Sequence, residues 1–507
     1  MTVENHLQGL NKEQKEAALH IKGPLLIVAG AGAGKTKTIT HRIVNLIKNG
    51  IAPEKILAVT FTNKAAKEMR ERVITEIEKN AKGQERIPFV STFHSLGVYI
   101  IKENARLLGL TKYFTILDEN DSTGLIKEAM KEISIDPKQY DPRKIKNIIS
   151  REKGKFTHLA DYAEREGNGT NYFGKIVAQI WHLYEKKKEK ENSLDFDDLL
   201  LKATKLLKEN KEIRRIYQEK WEYIHIDEYQ DTNEVQYLMS KLLSESHKNI
   251  AVVGDADQNI YSWRGANLKN ILSFEKDYPN AKIILLEQNY RSTKNILEAA
   301  NEIIRKNKYR PEKNLFTKNN AGEKIGLYEA LDENDEADFV ATKILKILDG
   351  IQTPSSSGHS PLAGGEESNL PLLDEEGRPA GRGGASEIAI LYRANFQSRA
   401  LEEAMLRYNI PYQVLGVKFF ERKEIKDTLA YLRAALNRES LSDIKRIINF
   451  PARGIGKVTL AKIFTKEMPA RPHEVSGAGG ENLPIKVRIK INNFYKILEE
   501  IKEKINN

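Results

Sequence analysis

The chain has 507 residues, too many for one hydrophobic core, and its length indicates about three or four domains. Apolar residues make up 40% and charged residues 30%, and the pattern predicts neither a signal peptide nor a bilayer-spanning segment, so we expect a cytoplasmic protein without a membrane partner. The absence of cysteine excludes disulfides and thiolate metal sites, while the net charge of +10 suits a polyanionic partner without establishing one.

Short β-branched runs alternate with longer amphipathic segments in the first half of the chain, which predicts parallel sheets covered by helices and hence an α/β fold. The predicted strands are Leu25–Val28, Ile56–Thr60, Phe89–Thr92, Tyr223–Ile226, Ile250–Val253 and Ile283–Leu286. Between Leu107 and Asp195 this pattern gives way to helix-like sequence rich in lysine and glutamate. We therefore predict a helical domain inserted within the first α/β domain.

A second α/β pattern begins near Gln288, with predicted strands at Ile325–Glu329 and Ile388–Tyr392, and mostly helical sequence follows from about Phe420. Two stretches rich in glycine and proline predict flexible insertions at residues 352–385 and 469–483. The predicted domain boundaries are 1–107 with 195–286 for the first α/β domain, 108–194 for the inserted helical domain, 287–415 for the second α/β domain and 416–507 for a second helical domain.

A glycine-rich segment between a predicted strand and a predicted helix has the composition of a phosphate-binding loop. Its residues are Ala29, Gly30, Ala31, Gly32, Ala33, Gly34, Lys35 and Thr36. Backbone N–H groups of such a loop can hold phosphate oxygens, Lys35 adds a positive charge, and the Thr36 hydroxyl can bind Mg²⁺. Ala29 stands where the usual pattern has its first glycine, so a glycine-rich turn with an exposed lysine is the alternative interpretation.

Two carboxylates follow another predicted strand, Tyr223–Ile226. Asp227 can complete a Mg²⁺ shell, and Glu228 can polarise a water molecule. The glycine-rich loop can bind the phosphates, and the acidic pair can bind Mg²⁺ and activate water, so the two motifs complement each other. They predict that the chain binds and hydrolyses a nucleoside triphosphate.

The chain resembles the UvrD/PcrA/Rep-type superfamily 1 DNA helicases in motifs that run, with gaps, from Leu10 to about Gly456. These motifs are Leu10–Gln14, Thr60–Ala66, Thr92–Ser95, Asp195–Leu199, Gly254–Gln258, Tyr261–Ala266, Gln288–Ser292, Tyr392–Asn395, Gln397–Arg399, Phe420–Asp427 and Arg453–Gly456. The resemblance implies two RecA-like P-loop NTPase domains with inserted helical accessory domains. It also implies ATP and Mg²⁺ as cofactors.

Several residues near these motifs suit a nucleotide motor. Gln14 can hydrogen-bond an adenine edge, and Tyr290 offers a ring that can stack on the base. Arg291 would act as an arginine finger, with a surface arginine as the alternative. By resemblance, Gln258 is a γ-phosphate sensor and Arg264 is a second γ-phosphate contact.

Aromatic side chains beside these motifs are candidates for stacking on the bases of single-stranded DNA. They are Phe61, Phe196, Tyr261 and Trp263, and packing in the core is the alternative for each. The resemblance adds strand contacts at Thr62, Asn63, Thr92 and His94, where His94 is a strand or phosphate contact rather than a general base.

Two motifs of the family are missing, of the types Thr-x-His-x-x-Lys-Gly-Leu-Glu and Tyr-Val-Ala-x-Thr-Arg-Ala. We therefore expect a chain truncated before the C-terminal motor motifs, an incomplete second RecA-like domain and impaired coupling. The leading hypothesis is an ATP-dependent 3′→5′ DNA helicase acting on single strands and single-strand/duplex junctions in repair or replication, with loading partners unidentified. The alternatives are a nucleotide-regulated strand-binding protein that does not unwind, the motor of a helicase–nuclease, and an unrelated phosphate-loop kinase.

Overall fold

The computed structural model describes residues 5–78, 86–262, 265–307, 313–351, 388–414, 423–437, 439–455 and 485–506. The chain divides into two compact units, one of Met1–Lys324 with Lys426–Asn507 and one of Ile325–Ile425. Both predicted flexible insertions, 352–385 and 469–483, lie outside the described residues. In the described part of the chain, every helix is too short or too polar to cross a lipid bilayer.

The strands are β1 (Leu25–Ala29), β2 (Ile56–Thr60), β3 (Phe89–Thr92), β4 (Thr115–Ile116), β5 (Ser193–Leu194), β6 (Tyr223–Ile226), β7 (Ile250–Gly254), β8 (Lys282–Leu286), β9 (Gln288–Asn289) and β10 (Phe316–Thr317). Six of them form one parallel sheet in the order β3-β2-β6-β7-β1-β8. The six strands predicted in the first half of the chain are thereby confirmed.

The helices of the described residues are α1 (Lys12–Leu19), α2 (Lys35–Lys48), α3 (Asn63–Glu78), α4 (Phe93–Glu103), α5 (Glu119–Glu132), α6 (Pro142–Gly154), α7 (Leu159–Gly167), α8 (Tyr172–Lys190), α9 (Phe196–Glu209), α10 (Lys211–Lys220), α11 (Glu234–Ser244), α12 (Lys269–Leu272), α13 (Phe274–Asp277), α14 (Lys294–Ile304), α15 (Glu333–Ile351), α16 (Ser398–Arg407), α17 (Lys423–Leu436), α18 (Leu441–Ile447) and α19 (Ile485–Asn506). The last three confirm the mostly helical sequence predicted from about Phe420.

The main sheet is buried on both faces except at its edge strand β8, where three of the five residues are exposed. Along β1, Leu26 and Val28 pack in the hydrophobic core on one face, while Leu25 and Ile27 pack in the core on the other. Parallel strands covered by helices on both sides need apolar residues at successive positions, which explains the unbroken apolar runs in the sequence. The carboxyl ends of all six strands lie along one edge of this sheet.

The chain between β3 and β6 is mainly helical, as predicted, and has a hydrophobic core of its own that includes Ile180 and Trp181. The short strands β4 and β5, which the sequence did not predict, pair in parallel where the chain enters and leaves this helical segment. The boundaries assigned to this and the other domains stay a prediction.

A buried ion cluster joins the helical segment to the start of α9. The ammonium group of Lys153 lies 2.8 Å from Asp195 and 2.7 Å from Asp198, and Lys188 contacts the same two carboxylates. Burial opposes ionisation of Asp195, but the two lysines hold its pKa well below the ordinary value. Removing one partner from such a pair typically costs about 3–5 kcal/mol, so this cluster fixes α9 against the helical segment.

The second unit contains α15 and α16, which pack together through Ala337, Ala341 and Ala404. The strands predicted at Ile325–Glu329 and Ile388–Tyr392 are wrong, because neither segment forms a strand among the described residues. A short apolar run becomes a strand only when a neighbour completes its hydrogen-bond ladder. The sequence of the run alone does not show whether such a neighbouring strand is present.

His225 makes the stability of this fold dependent on pH. It is buried in β6, and burial, followed by the positive charge of Arg42, lowers its pKa to about 3 from an ordinary value of 6.5. The unfolded chain therefore binds more protons between pH 6.5 and 3, and the free energy of unfolding falls as the pH falls through that window. From pH 6.5 to 5 this group contributes a loss of about 2 kcal/mol.

We expect His225→Leu to flatten the pH dependence of urea denaturation between pH 6.5 and 5 relative to the wild-type chain. His182→Leu, at an exposed position, serves as the control. An unchanged slope in His225→Leu would show that other groups cause the acid sensitivity.

Candidate nucleotide-binding site

The glycine-rich loop connects β1 to α2 and has left-handed backbone at Gly32 and Gly34, with φ of 67° and 81°. Glycine adopts these angles without steric cost. A Cβ atom on Gly30 would lie only 2.1 Å from the side chain of Leu315, and one on Gly34 would lie 2.7 Å from the Gln14 amide. The loop thus needs glycine both for its conformation and for close packing, while Ala29 ends β1 in the core.

The two chemical motifs meet at the carboxyl edge of the sheet. The Lys35 ammonium lies 3.0 Å from a Glu228 carboxylate oxygen, and the Thr36 hydroxyl donates a 3.1 Å hydrogen bond to Asp227. Lys35 and Thr36 begin α2 after β1, whereas the two acids follow β6. The structure therefore brings together the four residues that the sequence assigned to phosphate and Mg²⁺ chemistry.

The two carboxylates differ in their surroundings. Asp227 is buried, and burial, followed by the charge of Glu228, raises its pKa to about 6. The side chain of Glu228 is 34% exposed and accepts a 2.9 Å hydrogen bond from the Gln230 amide. Its backbone is left-handed, with φ of 52°, a strained conformation for a residue with a side chain. The Asp227 carboxylate is therefore enclosed beside Thr36, and the Glu228 carboxylate is partly exposed to solvent.

Gln258 lies beside the phosphate-loop lysine, since its side-chain oxygen accepts a 3.3 Å hydrogen bond from Lys35. Its amide nitrogen donates to Asp255 at 2.6 Å. The side-chain oxygen of Gln230 accepts a 2.9 Å hydrogen bond from the Asp255 backbone. Asp255 and Gln230 both lie in or near recognised motifs, but the sequence assigned neither of them a role. These two residues support the predicted sensor.

The residues predicted to contact the base have different environments. Gln14 is buried, and its amide nitrogen donates to the Ala33 carbonyl at 2.9 Å while its oxygen accepts from the Asn11 backbone. It therefore holds the start of α1 against the phosphate loop, and its contact with adenine stays a prediction. Tyr290 is 46% exposed, so one face of its ring is open for stacking.

Arg291 is exposed, and its Cβ atom lies against Gly32 of the phosphate loop. Asn289, which the sequence did not single out, holds this arrangement. Its amide nitrogen donates to the Ala31 carbonyl at 2.7 Å, and its oxygen accepts from the Arg291 backbone at 2.8 Å. Arg264, the second predicted γ-phosphate contact, lies outside the described residues.

The aromatic candidates for strand binding fall into two pairs near the same edge of the sheet. Phe61 follows β2 and stacks on Tyr261, with ring centroids 5.1 Å apart. His94 lies near the start of α4 and contacts Phe196 edge-on at 5.7 Å. Phe196 is 54% exposed, which excludes core packing as its role. Trp263 lies outside the described residues.

The smaller strand-contact candidates serve local structure. The hydroxyl of Thr62 accepts from the Ala65 backbone, and that of Thr92 accepts from the Ser95 backbone at the start of α4. Asn63 begins α3. Burial lowers the pKa of His94 to about 4, so its ring is neutral at pH 7 and offers hydrogen bonds rather than a charge. Strand contact by these four residues stays a prediction.

The chain is similar to known helicases over most of its length. The family described as UvrD/REP helicase N-terminal domain matches residues 10–279, and the UvrD-like helicase C-terminal domain matches residues 284–473. The ATP-dependent DNA helicase PcrA of Bacillus subtilis strain 168 is 46% identical over 459 residues, covering 90% of this chain and 57% of the relative. The protein of the same name from Staphylococcus aureus strain Mu50 is 42% identical over 500 residues, covering 98% and 63%.

The chain thus spans about six tenths of the length of these curated relatives. The expected truncation before the C-terminal motor part is not borne out, because the C-terminal domain of the family matches residues 284–473. That expectation rested on two short motifs, whereas the family match extends over residues 284–473. The two matched domains are consistent with the two RecA-like domains that the resemblance implied.

We expect Lys35→Ala to lower ATP turnover by about 100-fold or more while the chain stays folded, because the proposed phosphate site loses the only charge that the loop itself supplies. Phosphate release and the thermal midpoint measure the two effects. Lys37→Ala is the matched control, since Lys37 lies one residue further along α2 than Thr36 and its ammonium is bonded to the Gly9 carbonyl. Wild-type turnover in Lys35→Ala would overturn the assignment of the site.

Proposed function

This chain belongs to the UvrD/REP helicase family, and we propose that it is an ATP-dependent DNA helicase that moves 3′→5′ along single-stranded DNA. One observation carries the proposal. Lys35 lies within hydrogen-bond distance of both Glu228 and Gln258, so the phosphate loop, the water-polarising acid and the sensor form one group. The activity, the substrate and the partners of the whole protein are all part of this proposal.

The residues that would hold Mg²⁺ fit that ion. Thr36 and Asp227 offer a hydroxyl and a carboxylate that already touch, and Mg²⁺ prefers oxygen ligands of this kind. Although burial raises the pKa of Asp227 to about 6, the carboxylate is ionised at neutral pH. When bound, Mg²⁺ would neutralise charge on the triphosphate.

The other residues of the site have separate proposed roles in phosphoryl transfer. Glu228 is open to solvent and is proposed to orient the attacking water, while Lys35 binds the β- and γ-phosphates. Arg291, placed beside the phosphate loop, is proposed to stabilise the charge that develops on the transferred phosphoryl group. Such a finger accelerates other nucleotide hydrolases by about 10³–10⁵.

The same sheet edge supports coupling to DNA. Gln258 follows β7, and Tyr261 lies three residues further and stacks on Phe61. A change at the nucleotide can therefore be passed to aromatic rings on which bases stack. We propose single strands and single-strand/duplex junctions as substrates, repair or replication as the setting, and a cytoplasmic location.

The alternative of a nucleotide-regulated strand-binding protein that does not unwind is not favoured. The curated relatives that match most of this chain are named ATP-dependent DNA helicases, which supports a protein that unwinds.

The deciding experiment is ATP turnover by the 507-residue chain with and without single-stranded DNA, followed by unwinding of duplexes with 3′ or 5′ tails. We expect DNA to stimulate turnover, and the 3′-tailed duplex to be unwound in preference. Turnover that does not respond to DNA would contradict coupling, and preference for the 5′-tailed duplex would contradict the polarity.

We expect Phe196→Ala to weaken binding of single-stranded DNA by about 5–150-fold while leaving turnover without DNA near the wild-type rate, because one base–ring stacking contact is worth about 1–3 kcal/mol. Fluorescence anisotropy with a labelled oligonucleotide measures the affinity. Tyr172→Ala is the matched control, since Tyr172 is also an exposed aromatic at the first position of a helix. Equal affinity in Phe196→Ala and wild type would remove Phe196 from the strand site.

A further inference from the structure

We propose that Lys313 is a positioning residue for ATP hydrolysis, which acts by orienting Gln258 through the carboxylate of Asp255. The proposal rests on the proposed hydrolysis of ATP at this site. No recognised motif contains Lys313, and it lies 58 residues from Asp255 along the chain.

The side chain of Lys313 is enclosed between two carboxylates. Its ammonium group contacts Asp255 and lies 3.0 Å from Asp257, and the three side chains are 2%, 2% and 5% exposed. An ionised carboxylate is costly to bury unless a positive charge compensates it. Lys313 supplies such a charge to the loop that follows β7.

Asp255 connects this lysine to the sensor. One carboxylate oxygen of Asp255 contacts Lys313, and the other accepts the Gln258 amide nitrogen at 2.6 Å. A glutamine amide has a donor end and an acceptor end. Because Asp255 engages the donor end, the oxygen of Gln258 faces Lys35, at 3.3 Å. Lys313 thus holds the carboxylate that sets which end of Gln258 points into the phosphate site.

The segment that carries Lys313 also contacts other parts of the site. Leu315 packs against Gly30 of the phosphate loop, and Phe316–Thr317 pairs in parallel with Gln288–Asn289, two residues before Arg291. One short segment therefore touches the sensor network, the phosphate loop and the strand that leads to the proposed arginine finger. Lys313 can therefore help to hold these three parts of the site in fixed positions relative to one another.

The test is a double-mutant cycle on ATP turnover with Lys313→Met, Gln258→Ala and the variant carrying both changes. Lys313→Met keeps the length of the side chain and removes its charge. We expect it to lower kcat about 10-fold or more with a smaller change in the KM for ATP, and we expect the double variant to turn over no more slowly than Gln258→Ala. If Lys313 acts only by orienting Gln258, removing Gln258 already removes the contribution of Lys313 to kcat, so the second substitution adds no further loss.

Lys153→Met is the matched control, because Lys153 is also 2% exposed between two aspartates but belongs to the cluster at α9. We expect both lysine variants to lower the thermal midpoint, and only Lys313→Met to lower kcat in the absence of DNA. If Lys313→Met does not fold, Lys313→Arg, which keeps the charge and changes its geometry, carries the same cycle.

An unchanged kcat in Lys313→Met, or losses that multiply in the double variant, would overturn the role of Lys313 while leaving the proposed function standing. A wild-type chain that does not hydrolyse ATP would overturn the proposed function itself, and the role of Lys313 with it. Equal loss of kcat in Lys153→Met would show that the effect is general destabilisation.

Discussion

The contact between Lys35 and Glu228, with the neighbouring hydrogen bond from Thr36 to Asp227, is the interaction on which the rest of the site depends. It exists because β1 and β6 are parallel strands of one sheet, separated only by β7, whose carboxyl ends lie at the same edge. Residues almost 200 positions apart are thereby brought within hydrogen-bond distance. This edge is where ligands bind in open parallel sheets, since loops and helix N-termini converge there.

Charge compensation organises the surroundings of that edge. Burial raises the pKa of Asp227, so the site holds a carboxylate that gains from a nearby cation. Asp255 is instead compensated from within the chain by Lys313, and Asp195 by Lys153 and Lys188. In the described structure, buried lysines thus neutralise Asp255 and Asp195, whereas Asp227 accepts a hydrogen bond from the Thr36 hydroxyl.

The sequence was a good guide where chemistry restricts residue type over a short continuous stretch. The left-handed backbone of the loop favours glycine at Gly32 and Gly34, and the apolar run of β1 directly precedes the loop. It was a poor guide at Ile325–Glu329 and Ile388–Tyr392, where short runs with apolar residues have no strand partner in the described structure. It also overestimated what two missing motifs imply about the C-terminal domain.

By itself, the sequence determined the α/β class, the strands of the main sheet, the glycine-rich loop after β1 and the acidic pair after β6, because each depends on residues that are neighbours along the chain. Only the tertiary structure showed that Gln14 hydrogen-bonds the glycine-rich loop, that Asn289 holds Arg291 beside this loop, and that Lys313 contacts Asp255. One lysine among 81 lysines and arginines, or one asparagine, has no local sequence signal that marks its role. Its role is set by partners that only folding brings near.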